Sequence, residues 1–417
     1  MQGTKSNNIP IQHIVEAYEK VRSNGGAGGI DNVSMDAFEK EWKNNLYKLW
    51  NRMSSGSYHP MPVKLVEIAK EEGGVEMRTL GIPTILDRIA QAVVVKELEA
   101  GLEHIFHTDS YGYRPDRSAH QAVEIARRRC WRYDWVLDLD IRKFFDTIDH
   151  ELLMKAVRRH TNERWILLYI ERWLKVPYEN KDGSLIERVQ GVPQGSVIGP
   201  VLSNLFMHYV FDEWMKLHYS HIPFERYADD AICHCKSKAE AEELRAKIAA
   251  RLSDCKLALN EVKTKIVYCK DEDRTGTHEH EKFDFLGFTF MARRSKNRWG
   301  KYFVNFSPAI SAKAKKRISK EIRSWRLHER SDKSLKDLAN MFNAKLQGYI
   351  GYYSKFYKSA MYPLFQRLNE RLAHWVERKF KRVRRHKTRA MKWLGNMYKQ
   401  NPRLFAHWRF GVCPPMH

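Results

Sequence analysis

The sequence has 417 residues and 43% hydrophobic residues, which predicts a folded protein of two or three domains rather than a disordered chain. No apolar run approaches the roughly 20 residues of a membrane span. Residues 1–10 also lack the apolar segment of a signal peptide. A cytoplasmic protein without membrane association is therefore expected, and its formal net charge of +23 favours polyanionic partners.

The first third of the chain alternates helical and extended patterns. Apolar residues recur at helical spacing in three segments, and a glycine-rich loop separates the first two. Two short alternating segments around Glu71-Glu72-Gly73-Gly74 have the signature of a β-hairpin. The predicted elements are helices at 9–22, 35–53 and 84–105 and a hairpin of strands 63–70 and 75–80.

A strand is predicted at 135–141, where apolar residues alternate with carboxylates. Side chains point alternately to the two faces of a strand, so Asp138 and Asp140 share one face. Further along, two short apolar segments within 224–235 are interrupted by Asp229 and Asp230. Because Asp favours turns, this region is expected to form a hairpin with both carboxylates at its tip.

The remaining elements are mostly helical, and the charge is unevenly distributed among them. Residues 301–417 contain 28 Lys and Arg against 6 Asp and Glu, whereas the preceding part is close to neutral. A neutral body joined to a strongly basic third is typical of nucleic-acid binding. Strands are predicted at 263–269 and 283–291, and helices at 150–160, 164–174, 238–254, 311–327, 334–357 and 363–385.

Strands and helices in this order predict an α+β fold in which Asp140, Asp229 and Asp230 could converge. Magnesium prefers oxygen ligands, and two such ions can stabilise the attacking and leaving oxygens of a phosphoryl transfer. From the spacing alone, Asp140 could equally cap the next segment, and Asp229 and Asp230 could belong to an ordinary turn. Cys233 and Cys235 are interpreted as apolar strand residues rather than zinc ligands, since zinc needs four ligands at wider spacing.

An ordered set of motifs resembles the reverse transcriptases encoded by bacterial group II introns. Residues 227–230 (Tyr-Ala-Asp-Asp) resemble the catalytic signature of that family, with the alanine that is typical of group II enzymes. Any one match would be weak, but the ordered set is specific. The other matching segments are 78–84 with Asp87, Arg88 and Gln91, then 110–115, 140–146, 191–204, 259–264 and 285–288.

The resemblance implies a right-hand polymerase fold with fingers, palm and a helical thumb, and an RNA-directed DNA polymerase that uses two Mg²⁺ ions, for which Mn²⁺ can substitute. It implies metal binding by Asp140, Asp229 and Asp230, with Asp138 outside the metal set. Substrate-binding roles are implied for five further residues. Lys70 and Arg78 would hold the triphosphate, Phe145 would exclude the ribose 2′-hydroxyl, Gln194 would contact nucleotide or template, and Lys263 would lie near the reacting phosphates.

The basic C-terminal third resembles the thumb, or maturase domain, of the same intron proteins. Tyr349 and Tyr353 lie among lysines, which suits stacking on bases next to neutralised phosphates. A core position on an amphipathic helix is an equally good interpretation of any single tyrosine. Residues 381–389 hold six Lys or Arg in nine positions. Of these, Lys381, Arg382, Arg384 and Arg385 are predicted to contact intron RNA or target DNA.

The expected organisation is fingers and palm at 1–300, a basic thumb or maturase domain at 301–385, and a basic C-terminal segment at 386–417. No paired cysteines and histidines follow, which resembles the intron proteins without an endonuclease. Expected partners are an RNA template, a DNA primer, dNTPs, group II intron RNA and target DNA. The alternatives are a domesticated relative in phage defence or DNA repair, and a non-catalytic RNA-folding cofactor.

Overall fold

The computed structural model describes residues 7–69, 77–297 and 299–415, without the side chains of Ala69 and Arg78. Contacts divide the chain into two units: residues 1–122 with 137–264, and residues 123–136 with 265–417. Helices and strands occur in both units, so the predicted α+β class is confirmed. No described helix is long and apolar enough to cross a membrane.

The first unit contains a helical layer and two groups of strands. Its helix α4 is buried around most of its circumference, from Ile85 to Leu102, and forms part of the core. Thr84 caps this helix by accepting a hydrogen bond from the N–H of Asp87 at 3.2 Å. The helices that lie entirely in this unit are α1 (Ile11–Asn24), α2 (Met35–Glu39), α3 (Trp42–Ser55), α4 (Ile85–Leu102), α6 (Phe144–Thr147), α7 (His150–Arg158), α8 (Arg164–Lys175), α9 (Gly199–Met207), α10 (Glu213–His218) and α11 (Lys238–Asp254).

One group of strands is a four-stranded sheet in the order β2-β1-β4-β5. The antiparallel pairing of its first two strands confirms the predicted hairpin, whose turn lies outside the described residues. In the other group, β6, β7 and β3 are neighbours in that order. The strands are β1 (Val63–Ala69), β2 (Met77–Ile82), β3 (Trp135–Leu139, of which residues 137–139 belong to this unit), β4 (Tyr178–Glu179), β5 (Leu185–Ile186), β6 (Phe224–Tyr227) and β7 (Asp230–Cys235).

The second unit joins a three-stranded antiparallel sheet, β11-β10-β9, to a set of basic helices. Helix α5 (Ala119–Cys130) begins in the first unit and ends in the second, where Trp131 follows it and donates to the carbonyl of Phe306 at 2.8 Å. The other strands and α-helices are β8 (Lys265–Tyr268), β9 (Lys282–Phe285), β10 (Phe288–Lys296), β11 (Tyr302–Ile310), α12 (Ala312–Ser324), α13 (Leu335–Tyr353), α14 (Tyr362–Lys379), α15 (Lys387–Gln400) and α16 (Ala406–Arg409), with short 3-10 helices at Leu327–Glu329, Lys358–Met361 and Lys381–Val383.

Two predicted elements are each two elements in the structure, and the helices predicted over 334–357 and 363–385 end earlier, at Tyr353 and Lys379. The single helix predicted over 35–53 is two helices, α2 and α3, because Lys40 and Glu41 separate them. The single strand predicted over 283–291 is a hairpin of β9 and β10. Its turn residues Leu286 and Gly287 have φ angles of 50° and 81°, which an extended strand does not allow.

Candidate active site

A tight hairpin presents the two carboxylates that follow Ala228. Tyr227 ends β6 and pairs with Asp230, the first residue of β7, so Ala228 and Asp229 form a two-residue turn. Ala228 has a φ of 60°. Two-residue hairpin turns require a positive φ at this position. The predicted hairpin is therefore confirmed, with Asp229 in its turn and Asp230 at the start of the following strand.

Asp140 directly follows β3, the strand beside β7. Its backbone N–H donates to Thr264 Oγ1 at 3.3 Å, and its carbonyl accepts from the N–H of Asn260 at 2.8 Å. The turn 260–264 thus fixes the backbone that carries the Asp140 side chain. Lys263 is exposed in this same turn, where its N–H donates to Asn260 Oδ1 at 3.3 Å.

The electrostatics of Asp230 show that the carboxylates interact. Although Asp230 is partly accessible to solvent, the surrounding protein atoms raise its pKa well above the usual range, and the charges of Asp138, Asp229 and Asp140 raise it further. Asp138 has the largest effect of these three charges. Asp138 was not predicted to be a metal ligand, but its side chain lies close enough to Asp230 to raise the pKa of Asp230.

The oxygen donors and mutual repulsion of these carboxylates suit divalent cations, which would offset the crowded negative charge. Among residues 7–69, 77–297 and 299–415, no three His, Cys, Asp or Glu side chains already form a metal-ligand group. The assignment of Asp140, Asp229 and Asp230 as ligands therefore depends on their shared charge and donor chemistry.

Phe145 lies in α6, directly after the carboxylate-bearing strand. Its ring is half-buried and meets Phe144 edge to face, with the centroids 5.2 Å apart. Phe144 itself is buried, as expected for a core residue. The carbonyl of Phe145 accepts a 2.7 Å hydrogen bond from the N–H of Val192. This bond ties the loop 191–195 to α6.

Gln194 is half-buried in the same loop. Its Nε2 donates to Asp146 Oδ1 at 3.4 Å, and its carbonyl accepts from the N–H of Gly81 at 2.8 Å. Gly195 has a φ of 107°, and a Cβ there would lie 2.9 Å from the Gly81 carbonyl oxygen. Only glycine suits this position, because it combines a positive φ with a close backbone approach.

The two predicted triphosphate ligands belong to the β1–β2 hairpin. The backbone of Arg78 pairs with Ile68 across it. The side chain of Arg78 and the whole of Lys70 lie outside the described residues. Their roles remain predictions.

A buried polar network directly beneath the hairpin was not predicted from the sequence. Arg226 has no accessible surface and forms an ion pair with Asp212, which is also fully buried. It further donates to Asn204 and to the carbonyl of Ala228. The available signal was an arginine within a predicted strand of the core, since Arg is almost never fully buried unless it is paired. The sequence does not reveal its partner.

The two tyrosines of the second unit that were predicted to stack on bases have different surroundings in the structure. Tyr349 is half-buried and donates its hydroxyl to Glu321, and burial together with this bond raises its pKa. Tyr353 is only 5% exposed and packs on Phe288, with ring centroids 5.6 Å apart. Its position favours the alternative interpretation of Tyr353 as a core residue.

The four predicted basic contacts are all exposed between α14 and α15: Lys381, Arg382, Arg384 and Arg385. Arg384 and Arg385 line a cavity of about 480 Å³ together with Arg371 and Arg378 of α14. The cavity also contains Glu377, which is already hydrogen-bonded to His374 at 2.9 Å. Four arginines and one carboxylate thus line one concavity, and this excess of positive charge suits a phosphate-bearing ligand.

Comparison with known proteins agrees with this chemistry. The family described as "Reverse transcriptase (RNA-dependent DNA polymerase)" matches residues 68–290, which contain the hairpin and all three predicted catalytic carboxylates. The protein is therefore an RNA-directed DNA polymerase by class. A second family, "Group II intron, maturase-specific domain", matches residues 315–393 in the basic third. The chain belongs to the group II intron reverse transcriptase/maturase family.

Individual relatives cover different shares of the chain. Protein YkfC of Escherichia coli K12 is 31% identical, and the match covers 74% of this chain and 90% of YkfC. Group II intron-encoded protein LtrA of Lactococcus lactis is 33% identical over 46% of this chain and 32% of its own length. A solved apo telomerase from Candida tropicalis is 14% identical with a TM-score of 0.43, covering 55% of this chain and 53% of its own.

Proposed function

We propose that this protein copies RNA into DNA by two-metal nucleotidyl transfer at Asp140, Asp229 and Asp230. The main support is the placement of these residues on one sheet: Asp229 lies in the turn of the β6–β7 hairpin, Asp230 begins β7, and Asp140 follows the neighbouring strand β3. Bound there, two Mg²⁺ ions would supply charge stabilisation for the attacking and leaving oxygens of the transfer. The three carboxylates would hold the ions, and the adjoining strands would keep the carboxylates in place.

The incoming dNTP would meet residues from several elements around this sheet. Arg78 and Lys70 on the β1–β2 hairpin would bind its phosphates, as a guanidinium fork and a point charge respectively. Gln194 would orient the nucleotide or template. Lys263, exposed in the turn that anchors Asp140, would approach the leaving pyrophosphate. Phe145 would exclude a ribose 2′-hydroxyl, since its half-buried ring is supported by the buried Phe144.

Substitution of Asp229 by Ala separates catalysis from binding. We expect Asp229→Ala to abolish extension of a DNA primer on an RNA template while the affinity for template–primer stays unchanged. Affinity should persist because the carboxylate is proposed to bind metal rather than nucleic acid. Equal loss of synthesis and binding would contradict the proposed role of Asp229.

We further propose that the second unit binds group II intron RNA and target DNA, so that the protein also serves splicing and mobility as a maturase. The match to the maturase-specific domain and the excess of cations after residue 300 support this role. In this proposal the fingers and palm occupy 1–300, the thumb or maturase domain 301–385 and a basic segment 386–417. A cytoplasmic location belongs to the same proposal.

The maturase proposal is tested by self-splicing of a group II intron RNA at low Mg²⁺, with and without the protein. Faster splicing with wild-type protein and with Asp229→Ala would support an RNA-folding role that is independent of the polymerase centre. An unchanged splicing rate with the intron that flanks the gene would contradict it.

A further inference from the structure

We propose that Arg226 is a positioning residue of the polymerase site, which holds the turn carrying Asp229 and Asp230 through a buried ion pair with Asp212. The inference rests on the catalytic role proposed for these two carboxylates. Arg226 lies three residues before Asp229 and one before the end of β6. It touches no reacting group and acts through the backbone of the turn.

The turn needs an external restraint because its first residue is strained. Ala228 has a φ of 60°, a left-handed conformation that residues with a Cβ rarely adopt. Glycine is the usual residue at such a turn position. Strained conformations of this kind persist only where the surrounding structure determines them, and they are concentrated at functional sites.

The guanidinium of Arg226 supplies that restraint. Its Nη1 donates to the Ala228 carbonyl at 2.9 Å, directly at the turn. Its Nε and Nη2 donate to the two carboxylate oxygens of Asp212 at 2.7 and 2.5 Å. This bidentate geometry fixes the plane of the guanidinium, and therefore the direction of the bond to Ala228.

A second connection closes the network around the turn. Nη1 of Arg226 also donates to Asn204 Oδ1 at 3.1 Å, and Asn204 Nδ2 donates to the Gly112 carbonyl at 2.6 Å. A Cβ on Gly112 would lie 2.4 Å from the backbone nitrogen of Ala228. The backbone at Gly112 thus closely approaches the turn, and Asn204 joins Gly112 to Arg226 through hydrogen bonds.

Asp212 is the last residue of a π-helical segment, His208–Asp212, between α9 and α10. Such wide turns are rare and often occur at functional sites. Here the segment ends in Asp212, which is fully buried and forms the ion pair with Arg226. A buried ion pair is often no more stable than apolar side chains of the same size, so stability alone does not explain this pair. A requirement for one defined turn geometry does.

The test replaces the pair without leaving a buried charge, in the double variant Arg226→Met/Asp212→Leu of the full chain. The matched control is Glu225→Met/His234→Leu, which removes another fully buried pair from the same hairpin, whose atoms are 2.6 Å apart. Arg226→Lys serves as a second variant. It keeps the charge beside Asp212, but a lysine lacks the planar fork that reaches Asp212, Asn204 and Ala228 together.

Four quantities are measured: single-turnover primer extension, its Mg²⁺ requirement, template–primer affinity, and hydrogen exchange of residues 224–235 without metal. We expect both Arg226 variants to slow extension by about 10²-fold, the size of effect seen for displaced reacting groups. They should also raise the Mg²⁺ requirement and speed exchange at the turn, with unchanged template–primer affinity. The control should keep the wild-type rate and Mg²⁺ requirement.

The inference is overturned if the variant that folds keeps the wild-type rate and Mg²⁺ requirement, or if the control loses rate to the same extent. Arg226→Lys decides the question if the double variant does not fold. The proposed function fails separately, by retained synthesis in Asp229→Ala. Loss of synthesis in Asp229→Ala combined with normal synthesis in Arg226→Lys would overturn the positioning role alone.

Discussion

The carboxylates of the candidate active site carry a cost in stability. Burial and then the charges of Asp138, Asp229 and Asp140 raise the pKa of Asp230, so the charged form of Asp230 is less favourable in the folded protein than in the unfolded chain. Active sites commonly accept such repulsion because function needs the charges close together. A substitution that removes the charge should therefore separate stability from activity.

We predict that Asp230→Asn raises the free energy of unfolding of the metal-free protein at pH 7 by about 1 kcal/mol and abolishes DNA synthesis. Because the pKa of Asp230 is raised in the folded state, the wild type loses stability as the pH rises from the ordinary carboxyl pKa of the unfolded chain up to the raised pKa of the folded protein. The advantage of the variant should therefore shrink as the pH falls towards the ordinary carboxyl pKa, where Asp230 is protonated in both states. Urea unfolding at several pH values, in the presence of a metal chelator, measures the difference in the free energy of unfolding between the variant and the wild type.

The matched control for this prediction is Asp254→Asn at the end of α11, an exposed acid outside the cluster. It should leave both stability and synthesis close to wild type. A stability gain in Asp230→Asn that does not depend on pH, or no gain at all, would contradict the electrostatic interpretation.

Phe145 gives a second prediction at the scale of a single residue. Phe145→Ala should increase the use of rNTPs relative to dNTPs by about 10-fold or more, because the smaller side chain no longer meets the 2′-hydroxyl. Steady-state insertion of a single rNTP or dNTP measures the ratio. Phe144→Leu is the comparison, since Phe144 lies in the core. An unchanged ratio of rNTP to dNTP use in Phe145→Ala would contradict a role of Phe145 in selecting the sugar.

At the scale of elements, alternation of apolar and polar residues predicted the parts that form the site. The hairpin with carboxylates at its turn lies where the sequence placed it, and the strand predicted at 135–141 begins at Trp135 but ends at Leu139, before Asp140. Local chemistry decides such features, because Asp favours turns and strand side chains alternate. The helix α11, Lys238–Asp254, also begins and ends where its pattern predicts.

Two other features were not predicted in this way. The hairpin of β9 and β10 was predicted as one strand because its turn residue Leu286 is apolar, although the adjacent Gly287, also at positive φ, was a local turn signal. The ion pair of Arg226 and Asp212 joins residues 14 positions apart across different elements. Pairing of this kind is fixed by tertiary packing, which neither residue type nor spacing reveals.

The approach of residues 109–112 to the hairpin turn leads to a prediction at this scale. Gly112→Ala should destabilise the protein by about 2 kcal/mol and reduce synthesis, since the new Cβ would clash with the backbone nitrogen of Ala228 at 2.4 Å. The control Gly101→Ala lies in α4 with nothing within 4 Å of the added Cβ. It should be neutral or stabilising by up to about 1 kcal/mol.

Thermal and denaturant unfolding with parallel primer extension distinguish the two glycine variants. If Gly112→Ala keeps wild-type stability and activity, residues 109–112 do not support the turn as the structure indicates.

At the scale of the whole molecule, charge and family domains divide the chain in the same way. The reverse transcriptase match ends at residue 290, the maturase-specific match begins at 315, and the cations are concentrated after 300. Nucleic-acid affinity that depends on neutralised phosphates falls with salt in proportion to the number of phosphates neutralised. The basic third should therefore dominate the salt dependence of RNA binding.

We predict that Arg384→Ala/Arg385→Ala weakens RNA binding and lowers the slope of log affinity against log salt by about 0.7 for each phosphate that the protein no longer neutralises. The cause is the removal of two of the four arginines that line one cavity. Lys238→Ala/Lys247→Ala on α11 removes the same charge from two exposed positions of the first unit. Equal slopes for the two variants would contradict a specific nucleic-acid surface in the second unit.

The most direct test of the central claim is Mg²⁺-dependent extension of a DNA primer on an RNA template by the purified protein, with wild-type, Asp140→Asn and Asp229→Ala proteins side by side. We predict DNA synthesis by the wild type, none without Mg²⁺, and loss of synthesis with retained template binding in both variants. Undiminished synthesis in either variant would contradict the proposed catalytic centre. A wild-type protein that binds template but makes no DNA on RNA templates would contradict the polymerase function itself.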